Sequence, residues 1–153
     1  MVKVFTISLT VLYALSGCSL KNNSMTNLEI IKSTYEGKTS EENGKNLVKH
    51  AAPDISWTEA KGFPYAGVYI GMEAIEKNVF HRLATEWIDY KFVPEDYVAD
   101  GNLVVAYGTY KATNKVTGKY FEARVAHIWK LKDGAIIKFE QFVDSKPVND
   151  AMK

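Results

Sequence analysis

Apolar and polar positions change their spacing once along this chain, from a helical period to that of strands. From Thr26, the residues Leu28, Ile31 and Tyr35 recur at helical spacing and predict a helix that Gly37 can end. Ser40, Glu41 and Glu42 suit the start of a second short helix with Leu47 and Val48 as its apolar edge. Pro53 closes that segment before a strand, DISWTE, and AKGFPYAGVYIG then reads as a loop rich in Gly, Pro and aromatics. A third helix is predicted from about Met72 to about Glu86, with Ile75, Val79, Leu83, Phe80 and Trp87 toward the core and His81 off that stripe, in solvent. After Trp87 the segments IDYKFVPEDYVAD, NLVVAYGTYKAT, KYFEARVAHIWKLK and AIIKFEQFVDS read as strands. Asp100-Gly101-Asn102, Thr113 to Gly118 and Asp133-Gly134 punctuate them. Helices first and a meander after them imply an α+β domain, with three N-terminal helices on one face of an antiparallel sheet.

The last hairpin decides which side chains share a face, because residues opposite one another in an antiparallel pair point the same way. A two-residue turn at Asp133-Gly134 sets Trp129 against Lys138 and His127 against Glu140. A three-residue loop, Lys132-Asp133-Gly134 with a left-handed glycine in a bulge, sets Trp129 against Ile137, His127 against Phe139 and Val125 against Gln141. The second register is the expected one. It gathers Phe121, Ala123, Val125, Trp129, Leu131, Ile137, Phe139 and Val143 on one face and sends Glu122, Arg124, Lys130, Lys138 and Glu140 outward. His127 and Gln141 then become polar groups on the buried side.

With 153 residues, 46% of them hydrophobic, the chain can bury one substantial core, and one domain over residues 25–153 is expected. Nineteen basic against eighteen acidic residues, with no basic stripe, suggest no nucleic-acid partner. A single cysteine excludes an internal disulfide. Neither metal-ligand spacing, nor a phosphate loop, nor a nucleophile elbow is present, so neither metal nor cofactor is expected.

The first 24 residues differ in kind. MVKVFTISLTVLYALSGCSLKNNS has one early lysine, an apolar stretch from Val4 to Leu15 and then Leu15-Ser16-Gly17-Cys18, proportions that fit a signal region rather than a membrane span. Leu-Ser-Gly-Cys resembles the lipobox of bacterial lipoproteins. That resemblance implies cleavage before Cys18, lipidation of Cys18, SLKNNS as a polar tether, and a lipid-anchored place in the bacterial cell envelope. The alternative is translation from Met25, which would open a cytoplasmic domain.

The element order, together with WTE…GFPYAGVYIGMEAIEKNVF and HIWKLKDGAIIKFEQFVDS, resembles the nuclear transport factor 2-like superfamily in its SnoaL-like, ketosteroid isomerase-related branch, over about residues 26 to 147. Gly71 with Ala74-Ile75 opening the third helix, and Asp133-Gly134 followed by Asp144, are its most telling parts. The resemblance implies a strongly curved sheet wrapped with helices into a cone around a deep apolar pocket. It places Tyr35 where ketosteroid isomerases have an oxyanion-hole tyrosine, Glu59 where they have an aspartate base, and His127 where they have a second oxyanion donor. Against the polyketide cyclases of the branch, His127 matches a pocket histidine, while Gln141 stands in place of their catalytic aspartate and cannot transfer a proton.

Each residue also has an ordinary reading. His127 fits a core histidine satisfied by Gln141 or a carbonyl, Glu59 a surface carboxylate at a strand end, and Tyr35 a core side chain at helical spacing. Trp57 lies two residues earlier on the same face as Glu59, and burial there would raise the pKa of the carboxyl. Phe63, Pro64 and Tyr65 form either a lid or a loop folded onto the core, and Asp144 either a rim residue or a turn cap. His50, near a helix end, is given no role.

The pocket is expected to draw on Trp57, Phe63, Tyr65, Trp129, Phe139, Gln141 and Asp144. The leading function is a cofactor-independent isomerase or lyase acting on a small apolar carbonyl compound by proton transfer, with the His127 N–H and Tyr35 as donors and Glu59 as base. The alternative is a non-catalytic lipoprotein module that binds a lipophilic small molecule. A third is an interaction domain using the outer sheet face. His127 satisfied within the core, or Glu59 and Tyr35 facing away from one cavity, would favour the binding module. The outer face of Glu122, Arg124, Ile128, Lys138, Glu140 and Phe142 suits a two-fold homodimer contact.

Overall fold

The computed structural model describes residues 25–153, so Cys18 and the segment read as a signal region and tether lie outside the described residues. Two helices come first, α1 (Asn27–Ser33) and α2 (Ser40–His50). A capping box opens α1: Thr26 accepts from the Glu29 backbone N–H while the Glu29 side chain reaches back to the Thr26 N–H. Thr39 caps α2 by accepting from the Glu42 N–H, and the helix begins at Ser40 as expected from sequence. Strand β1 (Ala51–Glu59) follows at once, so Pro53 lies inside the strand rather than ahead of it. The register of β1 shifts between Ala51 and Ser56, an irregularity of the kind that accommodates proline.

The aromatic loop read from sequence contains a short edge strand, β2 (Gly67–Ile70), paired antiparallel with β1. Its aliphatic residues Val68 and Ile70 face solvent while Tyr69 packs toward the core, the reverse of the side that hydrophobicity would bury. Next, α3 (Met72–Ile75), a π-helical stretch (Glu76–Phe80) and α4 (His81–Glu86) run on as one rod. Gly71 precedes it at φ 78°, a left-handed conformation that glycine adopts without strain. The π turn carries Val79, which is buried, and Phe80, and both line the cavity. His81 is exposed, as expected.

Four long strands complete the sheet: β3 (Trp87–Asp100), β4 (Leu103–Asn114), β5 (Tyr120–Lys132) and β6 (Ala135–Val143). The order is β2-β1-β6-β5-β4-β3, antiparallel throughout except that β1 runs parallel to β6. The sheet is mixed α+β in its setting, curved and not closed into a barrel. One source of curvature is visible on β3, where the register shifts between Pro94 and Asp96 opposite Gly108. A Cβ at Gly108 would lie 2.1 Å from the Val93 carbonyl oxygen, so that approach requires glycine. A last helix, α5 (Ser145–Ala151), was not expected from the sequence; Asp144 caps it, accepting from the Lys146 N–H.

The final hairpin departs from both registers weighed above. Lys132 pairs with Ala135 across Asp133-Gly134, both at positive φ, which makes a two-residue turn of the type that matches strand twist. A bulge then follows: Leu131 faces Ile136, while Lys130 faces Lys138, leaving Ile137 as the extra residue. The face expected for β5 is kept, but Ile136, fully buried, replaces Ile137 in the core. Trp129 lies opposite Phe139, and His127 opposite Gln141.

Candidate functional site

His127 and Gln141 are a cross-strand pair on the concave face, both buried, at the wall of a cavity of about 520 Å³. The cavity lies between the helices and the sheet. Trp57, Glu59, Phe63, Trp129 and Phe139 line it with Tyr35, as do Tyr90, Phe92 and Tyr110, which the sequence reading did not single out. Two expected residues are elsewhere. Tyr65 is buried beneath the loop: its hydroxyl donates to Glu86 and accepts from the Trp87 indole, and its ring stacks under Arg82. Asp144 is the cap of α5 and touches no cavity wall. Phe63 and Tyr65 are folded onto the core, which settles the lid-or-core alternative on the side of core.

Neither nitrogen of His127 is free. Nδ1 lies 2.6 Å from the Tyr35 hydroxyl and Nε2 2.5 Å from the Tyr110 hydroxyl. Trp129 Nε1–H donates to the Tyr35 oxygen at 3.0 Å, and the Gln141 amide donates to the Tyr110 oxygen at 3.2 Å. Gln141 is itself oriented, since its carbonyl oxygen accepts from the Ala60 N–H just beyond β1. Burial away from water holds the imidazole pKa down at about 3, so the ring is neutral at physiological pH. Burial raises both tyrosine hydroxyls above their ordinary range, so they keep their protons.

The expected His127 N–H pointing at a ligand is therefore absent. In its place stand two tyrosine hydroxyls, held by the histidine and both on the cavity wall. The structure thus meets one condition set for the binding module, a satisfied histidine. It does not meet the other, because Glu59 and Tyr35 share one cavity. Tyr110 could have been found by alternation along β4: it falls on the inward set with Ala106, Gly108 and Ala112, but a tyrosine among small residues carried no distinguishing mark.

Glu59 closes β1 and is 4% exposed, a buried residue where a surface carboxylate was the ordinary reading. Trp57, two residues earlier on the same face, donates its indole N–H to Glu59 Oε1 at 2.7 Å. Oε2 is buried with no partner. Burial pushes the carboxyl up to about 7, and the hydrogen bond from Trp57 offsets only part of that. An unpartnered buried oxygen on a group poised near neutrality is unusual enough to require a reason. Among the described residues, no three His, Cys, Asp or Glu side chains are grouped to hold a metal, and no helix is long and apolar enough to cross a membrane.

Residues 35–139 match the family of SnoaL-like domains. Among solved structures, an NTF2-like protein from Burkholderia thailandensis is 38% identical, with a TM-score of 0.80, covering 85% of this chain and 99% of its own. A candidate polyketide cyclase, IdmH of Streptomyces antibioticus, shares the fold at 18% identity and a TM-score of 0.66, covering 84% of this chain and 99% of that one. TerC, crystallised with polyporic acid, does so at 21% identity and 0.71, covering 82% and 97%. No curated protein matches the sequence. The extent of the match and the cone-like sheet agree, and the chain belongs to the SnoaL-like family, with an NTF2-like fold.

Proposed function

We propose that the cavity binds a small apolar carbonyl compound and that Glu59 moves a proton on it, as in an isomerase or lyase that needs no cofactor. The observation that carries this reading is Glu59 Oε2, buried and unpartnered at a cavity wall on a carboxyl held near pH 7. A base of that kind can take a proton from a carbon next to a carbonyl and return it elsewhere. A tyrosine hydroxyl of the Tyr35–His127–Tyr110 chain can hold the oxygen as charge develops, and one such donor usually carries about 10² to 10³ in rate. Trp57 keeps the carboxylate from rotating, and Phe80, Phe92 and Phe139 supply the apolar walls. TerC and IdmH, with polyporic acid and polyketides in their names, support an oxygenated, largely apolar ligand by fold alone.

The second reading, a non-catalytic module for a lipophilic molecule, is favoured by the closed hydrogen bonding of His127. The two separate by isotope exchange. The chain is incubated in D2O with a panel of tetralones and alkylcyclohexenones, and α-deuteration is followed by mass. Proton transfer predicts exchange faster than buffer that Glu59→Gln abolishes while ketone binding persists. Ketones that bind with no added exchange would establish the binding module instead.

A further inference from the structure

A hydrogen count around His127 gives more than its neutrality. The Trp129 indole can only donate, so the Tyr35 oxygen already accepts one bond. The carbonyl oxygen of Gln141 is engaged by the Ala60 N–H, so the end facing Tyr110 is the amide nitrogen, and the Tyr110 oxygen also accepts one bond. Each hydroxyl has one proton left to place. A neutral imidazole between them has one N–H and one lone pair. The lone pair takes the proton of one tyrosine. The N–H donates to the other tyrosine, which keeps its own proton unspent beside the cavity.

The arrangement is nearly symmetric. With the ring proton on Nε2, Tyr35 donates to Nδ1 and Tyr110 has the free O–H; with the ring proton on Nδ1, the roles exchange. The buried Tyr90 hydroxyl beside Tyr110 can accept the Tyr110 proton in the first form and donate to the Tyr110 oxygen in the second, so both forms make the same number of hydrogen bonds inside the protein, and a ligand at the Tyr110 end takes the proton in competition with Tyr90. The free proton is then presented either beside Trp129, where the chain leaves α1, or beside Gln141 and Phe63 near the end of β1.

From this count we infer that His127 is a tautomeric switch, a positioning residue whose single ring proton decides whether Tyr35 or Tyr110 offers a hydroxyl to the ligand. The ligand class that uses both settings is a flat apolar carbonyl compound whose acceptor oxygen can lie at either end of the cavity. The choice of setting is made by the ligand. This rests on the reading of the cavity as a carbonyl-binding site, but the switch itself can be tested without any ligand.

The test uses the full chain labelled with 15N at histidine and follows the His127 ring nitrogens by NMR. Tyr35→Phe should lock the ring proton on Nε2, and Tyr110→Phe should lock it on Nδ1, so that protonated-type and unprotonated-type shifts change places between the two variants. The same tautomer in both variants would overturn the switch. In wild-type protein the averaged shifts should move when 1-tetralone is added, a measurement that does not depend on the variants folding. The carbonyl stretch of bound 1-tetralone should fall to lower frequency in wild type and in each single variant, and return toward its value in an apolar solvent only in the double variant. Loss of that shift in one single variant, with no change in the other, would show a fixed donor and no switch. Failure of 1-tetralone to bind would count against the carbonyl reading of the cavity, while the ligand-free tautomers would still decide the switch.

Discussion

Glu59→Gln should make the protein more stable in alkali, and the size of the effect follows from burial. An acid whose folded pKa lies above its unfolded value binds its proton more tightly when folded. Its contribution is therefore complete below the unfolded value and is lost as pH rises through the folded one. For Glu59 those values are 4.5 and about 7, a gap that at about 1.4 kcal/mol per unit is worth about 3 kcal/mol between pH 4 and pH 8. Glutamine keeps the shape and can still accept from the Trp57 indole at Oε1, so the substitution removes the titration with little packing loss. His127 titrates in the opposite sense: its pKa falls from 6.5 to about 3, so its stabilisation is present above 6.5 and lost as pH falls toward 3. Its shift comes from burial rather than from Glu59, so it acts equally in both proteins and cancels in the difference between them. Urea unfolding of both proteins at pH 4 and pH 8 reads the result. The variant's advantage should grow by about 3 kcal/mol between the two pH values, about 1.5 M in midpoint for a slope near 2 kcal/mol/M. A difference that stays constant with pH would refute the buried, proton-holding carboxyl.

Asp144→Ala removes the side-chain cap of α5 and should cost about 1 kcal/mol in thermal unfolding while leaving ketone binding unchanged, because the residue touches no cavity wall. If Leu15 to Cys18 form a lipobox, the full-length protein should partition into detergent and gain the mass of a diacylglycerol, and Cys18→Ala should abolish both; native protein beginning at Met25 and free in the aqueous phase would reject lipidation. For the outer sheet face we propose a two-fold dimer. It carries the ion pairs Arg124–Glu95, Lys111–Glu122 and Lys138–Glu140 around the exposed Phe142. Sedimentation at about tens of micromolar should show a dimer, and Phe142→Lys should shift it toward monomer.

The parts of the fold legible in the sequence are those where one face is buried and the other wet. β4 and β5 alternate almost residue by residue, and the third helical rod places Ile75 and Val79 in the core at helical spacing. β2 and α5 escaped for the opposite reason. β2 turns Val68 and Ile70 to solvent on an edge strand, and α5 carries Pro147 in its first turn with only Val148 and Ala151 buried. Neither offers a periodic apolar stripe. An aromatic in a Gly- and Pro-rich loop looks the same in sequence whether it roofs a cavity or, like Tyr65, is pinned below by Glu86 and Trp87.

The hairpin shows how much of the site depends on a single backbone detail. A two-residue turn alone would have put Lys138 opposite Trp129, and the three-residue loop would have put Phe139 opposite His127. The structure takes the first turn and adds one bulged residue, Ile137, which slides β6 so that Gln141 comes opposite His127. Side-chain alternation cannot distinguish that register from the three-residue loop, because the two differ by two residues and keep the same face. Yet the slide brings Gln141 within reach of both Tyr110 and the Ala60 N–H, and so fixes the amide orientation on which the hydrogen count around His127 depends. Sequence pattern is enough to say that a histidine and a glutamine are buried together. Which proton each neighbour holds is decided by the turn and the bulge, and the proton arrangement separates a core histidine from one that sets two donors.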